Sequence, residues 1–130
     1  MSRWKLSKTA VFNLSYHLIW CPKYRRKVLT HEIKDRLIAL LHLKSNELQL
    51  EIIEANIHDH VHLFVKTQPI HSLQFVVGQL KGYTSRILRK EFVSLRTRLP
   101  TLWTRSYYVY SVGKLNEYTI RKYIQEQDQK

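Results

Sequence analysis

The sequence predicts an α+β fold, a ferredoxin-like (RRM-like) sandwich, and three observations predict it. Four segments carry strand signatures, and two longer segments between them carry helical stripes of apolar residues. The second and third strands are joined by a link so short that they must form an antiparallel hairpin. The order is βαββαβ followed by one more helix, which suits a four-stranded antiparallel sheet with two helices on one face.

Residues 11–21, VFNLSYHLIWC, alternate, with Leu14, Tyr16, Leu18 and Trp20 on one side and Asn13, Ser15, His17 and Ile19 on the other. They read as the first strand, ended by Pro22. Residues 23–27, KYRRK, form a basic loop with an aromatic inside it. Thr30 stands where it caps a helix running to about residue 46, with Ile33, Leu37, Leu40 and Leu41 along one stripe. Residues 50–57 read as the second strand, and a turn at His58 and Asp59 leads straight into the third. Ser72 opens a second long helix ending near Phe92, with Leu73, Val76, Val77, Leu80, Ile87 and Leu88 facing the core and Lys81, Arg86, Arg89 and Lys90 facing outward. Gly78 and Gly82 lie four apart on it, a helix cost of about 1 kcal/mol each that close approach of another backbone would explain, for instance at a subunit interface. The stretch holding Arg96, Arg98, Pro100, Trp103 and Arg105 reads as a loop. Residues 106–112, SYYVYSV, form the fourth strand. Gly113 breaks it, Asn116 is placed to cap, and the last helix runs over about 117–128.

No linker or repeat divides the 130 residues, so one domain over 1–130 is expected, and 44% apolar content makes it globular. Twenty-two Lys and Arg against 10 Asp and Glu give a formal charge of +12. Such an excess repels itself unless a polyanion offsets it, so nucleic acid is the leading partner. The apolar runs fall short of the roughly 18 residues of a membrane span, and no membrane partner is expected. The single cysteine, Cys21, fits a reducing cytoplasm rather than a disulfide framework.

The stretch of most chemical interest is NIHDHVHLFVK, residues 56–66. On a strand His60 and His62 fall on one face with Phe64 and Lys66, while Val61, Leu63, Val65 and Thr67 form the opposite, core face. Two neighbouring imidazoles can share a metal ion; an isolated HxH is more often a half-exposed pair on an edge strand. In the last helix Ile120, Tyr123, Ile124 and Gln127 share a stripe, which taken alone is commonly plain packing. The chemical alternative makes the Tyr123 phenol a nucleophile and the Gln127 amide oxygen a third neutral ligand beside His60 and His62. A neutral ligand set leaves the cation's charge free to act on a phosphodiester, which favours Mg²⁺ or Mn²⁺, with zinc as the competitor.

DHVHLF at 59–64 together with YIQEQ at 123–127 resembles the paired signature of the single-tyrosine HUH transposases of the TnpA type. YHLIWCPKYRRKVL at 16–29 and SYYVYSVG at 106–113 are similar to that family's opening strand with its basic loop and to its last strand. The likeness spans essentially the whole chain. One departure is His58, where the family usually has proline before the Asp. The resemblance implies metal-assisted cleavage and rejoining of single-stranded DNA at insertion-sequence ends. Tyr123 would be the nucleophile, His60, His62 and Gln127 the metal ligands, and a 5′-phosphotyrosine the intermediate. It further implies a homodimer that recognises DNA hairpins, with the tyrosine helix exchanged between subunits about Gly113. Lys23, Arg25, Arg26, Lys81, Arg86, Arg89, Arg105, Arg121 and Lys122 are the candidate contacts to the DNA backbone.

Two rivals compete with that reading. A non-catalytic single-strand-binding module would use the same fold and charge, with Tyr107, Tyr108, Tyr110 and Phe64 stacking on bases. A domesticated nickase of the same chemistry would act on host repeats.

Overall fold

The structure, a computed structural model, describes residues 5–6, 11–12, 14–111 and 117–129. Strands β1 (Lys5–Leu6) and β2 (Val11–Phe12) pair as a short ribbon of their own, and β3 (Ser15–Trp20) enters a separate four-stranded sheet. The single strand expected over residues 11–21 is therefore two, because β2 takes its ladder from β1 while β3 pairs from Ser15 onward with β5. Helix α1 (His31–Glu47) follows, then β4 (Glu51–Ile57), β5 (Val61–Lys66) and α2 (Leu73–Glu91). A short helix α3 (Val93–Arg98) precedes β6 (Tyr108–Ser111), and α4 (Glu117–Glu126) runs into a 3₁₀ turn over Gln127–Gln129. The expected Gly113 break and Asn116 cap lie outside the described residues.

The sheet order is β4-β5-β3-β6 and every pairing is antiparallel, as the ferredoxin-like reading requires. Leu18 and Trp20 of β3 and Val61, Leu63 and Val65 of β5 point to one face, where they pack with Leu37, Leu40 and Leu41 of α1 and Val76, Val77, Leu80 and Leu88 of α2. Truncating a fully buried member such as Leu37 to alanine should cost about 2–5 kcal/mol through lost burial plus the cavity left behind. A bulge between Ile52 and Glu54 lets Ile52 and the later Ala55 and Ile57 all serve this face, although their spacing is not strictly two. Glu54 and Asn56 are thereby put opposite Phe64 and His62 on the other face.

The two helix starts differ. Ser72 caps α2, its hydroxyl accepting from the Phe75 N–H at 3.1 Å, whereas Thr30 occupies the cap position of α1 without a side-chain cap bond. The Arg96–Arg98 stretch is helical rather than a loop because Phe92, Leu95 and Leu99, spaced three and four apart, give it an apolar stripe against the core. A Cβ at Gly78 or Gly82 would meet nothing within 4 Å, so the close approach expected there is not made by the described residues of this chain.

Candidate active site

The sheet face opposite α1 and α2 carries the polar and aromatic residues. His17 lies directly across from Phe64 on β5 and from Tyr110 on β6. The three rings stack in one row, at 4.5 Å and 6° on the Phe64 side and 4.6 Å and 7° on the Tyr110 side. His17 Nδ1 is 3.1 Å from His62 Nε2, and the Tyr110 hydroxyl approaches the same nitrogen at 3.4 Å. Burial is the main cause that holds both imidazoles below the ordinary value, so at neutral pH both are uncharged.

His60 differs from the expectation that it shares a strand with His62. It occupies the bend before β5, which begins at Val61. Its Nδ1 is 2.8 Å from Asp59 Oδ1, leaving Nε2 turned to the outside of that pair. Burial pushes the Asp59 carboxyl up, but the hydrogen bond and charge of His60, with Arg25 nearby, bring it net below its usual range.

Helix α4 docks on this side of the sheet. The Tyr123 ring meets Tyr108 at 5.6 Å, and Tyr108 is one strand removed from His62, with Ile19 between them in register. Ser106, just before β6, ties the helix down. Its Oγ is 2.9 Å from Gln127 Oε1 and 3.2 Å from the Tyr123 hydroxyl. A serine has one hydrogen, and an amide oxygen only accepts, so Ser106 donates to Gln127 and Tyr123 donates to Ser106. Gln127, 1% exposed, also donates from Nε2 to the Tyr123 carbonyl at 3.0 Å. Burial is the main reason that the Tyr123 phenol is pushed up to about 12, a resting state in which it keeps its proton.

Ser106 is itself held from behind. The Lys81 ammonium, expected to face outward, turns in and donates to the carbonyls of Thr104, Arg105 and Ser106 at 2.6, 3.2 and 3.1 Å. Burial lowers its pKa to about 8, so at neutral pH it retains the three protons those carbonyls use.

The basic residues fall in several places. Arg25 pairs with Asp128 at 2.7 Å and so joins the 23–26 loop to the end of the tyrosine helix. Within that loop Tyr24 and Arg25 both have positive φ, 57° and 49°, although neither is glycine. Lys23 and Arg26 lie over the exposed Tyr24 ring, at 5.1 and 6.0 Å from its centre. On α2, Arg86 lies over Tyr83 and Arg89 donates to the Pro100 carbonyl. Arg105, Arg121 and Lys122 are exposed.

As a set of donors these residues suit a divalent cation: two uncharged or carboxylate-braced imidazoles and one buried amide oxygen. Among the described residues there is no cluster of three His, Cys, Asp or Glu that could hold a metal. Lys81, expected to contact the DNA backbone, instead holds the 104–106 segment. Asp59, His17 and Ser106 fall inside the motifs read from the sequence but were given no role there.

A ferredoxin-like sheet with helices on one face and a tyrosine-bearing helix docked on the other defines an RRM-like α+β protein built for polar chemistry on its open face. Comparison with known proteins makes this specific. Residues 10–127 match the family described as "Transposase IS200 like", and the chain belongs to that family, whose members are DNA-processing enzymes. It is 35% identical over 129 residues to the ISDra2 transposase TnpA of Deinococcus radiodurans, covering 97% of this chain and 92% of that one. It is 33% identical over 119 residues to the transposase for insertion sequence element IS200 of Salmonella typhimurium, covering 89% and 78%. A crystal structure from Deinococcus radiodurans, assigned as a transposase, superposes with a TM-score of 0.89 at 32% identity, over 95% of this chain and 97% of that one. A REP-associated tyrosine transposase bound to a REP hairpin shares the fold at a TM-score of 0.57 and 12% identity, over 95% and 68%. Among the described residues no helix is long and apolar enough to cross a membrane.

Proposed function

We propose that this transposase cleaves and rejoins single-stranded DNA at the ends of an insertion sequence, with Tyr123 as the nucleophile. The Tyr123 oxygen attacks the scissile phosphorus, the bond from phosphorus to the 3′ oxygen breaks, and the strand is left as a 5′-phosphotyrosine and a free 3′-hydroxyl. The phenol loses its proton and the departing 3′ oxygen gains one. Because the phosphodiester energy is kept in the tyrosyl ester, a 3′-hydroxyl can attack it in the reverse sense and rejoin the strands without ATP.

The observation that carries this reading is that His62 and Tyr108 share one sheet face across Ile19, that Tyr123 packs against Tyr108, and that Ser106 holds both Tyr123 and Gln127. His60, His62 and Gln127 would hold Mg²⁺ or Mn²⁺, which supplies positive charge to the phosphate oxygens. His17 and Asp59 orient the two imidazoles. Tyr123, with its pKa near 12 and its proton given to Ser106, must leave Ser106 before it attacks. Such a departure fits a homodimer in which the tyrosine helix moves between subunits. Lys23, Arg25, Arg26, Arg86, Arg89, Arg105, Arg121 and Lys122 would contact phosphates of the hairpin-bearing substrate. Lys81 acts differently, positioning the segment that carries Ser106.

The test is a denaturing gel of wild-type protein and Tyr123→Phe with a labelled single-stranded, hairpin-bearing oligonucleotide and Mn²⁺. Cleavage and a slow-migrating adduct are expected with the wild type only. Equal cleavage by Tyr123→Phe would refute the reading.

A further inference from the structure

We infer that a trough running beside the 26–34 segment to the Asp59–His60 pair is the channel for the single strand on one side of the cleavage position, an inference that rests on the strand-cleaving reading above. Two cavities meet at Lys27. One, of about 380 Å³, is lined by Arg26, Lys27, Val28, Arg98 and Leu99. The other, of about 470 Å³, is lined by Lys27, Leu29, Thr30, Lys34, His58 and Asp59. Each falls within the roughly 300–1,000 Å³ common for ligand sites.

The trough separates its two kinds of group. Its cations, Arg26, Lys27, Lys34 and Arg98, all reach solvent at least in part, while the apolar Val28, Leu29 and Leu99 are buried. A line of solvent-reaching cations suits a phosphate backbone, while Val28, Leu29 and Leu99 beneath it belong to the core and hold the line in place. The one carboxylate on the wall, Asp59, is bonded to His60 at 2.8 Å, so the trough ends at the residue that braces one imidazole of the proposed cleavage site. The exposed His58 ring, 6.3 Å from that of His60, offers a surface on which the base next to the cleaved phosphate can stack. Lys27, Lys34, Arg98 and His58 are thereby assigned to substrate binding.

The test is binding of a short fluorescein-labelled oligothymidylate by anisotropy over a range of salt, with adduct formation on a hairpin-bearing strand followed in parallel. Each lysine that meets a phosphate contributes about 0.7 to the slope of log affinity against log salt on a single strand. Lys27→Ala and Lys34→Ala should each lower the slope by about 0.7 and together by about 1.4, while Lys90→Ala, outside the trough, leaves it unchanged. Lys34→Arg should restore the slope, which a folding defect would not allow. Adduct formation by wild type together with an unchanged slope in the double variant overturns the trough and leaves the cleavage reading standing. Loss of slope with no wild-type adduct supports the trough as a binding channel and overturns the cleavage reading.

Discussion

Tyr123 donates its phenolic proton to Ser106, 3.2 Å away, because the only hydrogen on Ser106 is already given to Gln127. One serine thus holds both Tyr123 of α4 and Gln127 of the 3₁₀ turn that follows it. Ser106→Ala should lower stability by about 1–3 kcal/mol, since the Gln127 amide oxygen is buried and would lose its donor. Ser106→Thr, which keeps a hydroxyl, should retain most of that stability. Urea denaturation of the three proteins measures the difference, with equal midpoints for wild type and Ser106→Ala counting against the contact.

Lys81 provides a second mechanical test. Lys81→Met keeps the aliphatic stem but removes three N–H groups from the Thr104, Arg105 and Ser106 carbonyls. A loss of about 1–3 kcal/mol is expected, seen as a lower denaturation midpoint at unchanged m. Strand cleavage should fall as well, because Ser106 loses its backing.

The Cys21 thiol, fully buried, sets a pH dependence. Burial is the main cause, with Asp59 next, that pushes it from 9.0 up to about 12. The folded thiol therefore keeps a proton that the unfolded thiol gives up above pH 9. Its contribution to stability is complete below pH 9 and is lost as the pH rises from 9 to 12. The melting temperature should fall over that range, and fall less steeply in Cys21→Ala. At neutral pH the thiol of the native protein should resist alkylation.

His17 offers a test of the metal reading. His17→Phe retains a ring to stack between Phe64 and Tyr110 but removes the hydrogen bond to His62. If His62 binds the cation and His17 orients it, the Mn²⁺ concentration for half-maximal cleavage should rise about 10–100-fold with the fold intact. A Mn²⁺ titration of cleavage decides this; an unchanged midpoint would separate His17 from the cation.

The sheet and its helices were legible because their signals are periodic. Alternation in β3 and β5 and the stripes of α1 and α2 are set by which side must be buried, and burial is what the structure shows for them. Where a residue's role depends on a partner distant in the chain, the pattern was silent. Lys81 looks outward by charge, yet its stem crosses the protein surface to three carbonyls of the 104–106 segment, a contact that no helical spacing encodes. His60 fits the alternation of β5 but lies just before it, because the hairpin bend occupies 58–60. The left-handed Tyr24 and Arg25 carry no glycine to announce them. Of the site, Tyr123, Gln127 and the two histidines were visible through their paired motifs. The residues that hold them, Ser106, Asp59 and His17, became apparent only when the strands were laid side by side.

The most direct test is the identity of the residue that becomes covalently joined to DNA. Wild-type protein would be incubated with Mn²⁺ and a 3′-labelled single strand carrying an element end, digested with protease and nuclease, and its peptides sequenced by mass spectrometry. A nucleotide mass on the peptide containing Tyr123, absent from Tyr123→Phe, is the predicted result. Cleaved DNA with no modified peptide, or with the nucleotide on another residue, would contradict the account.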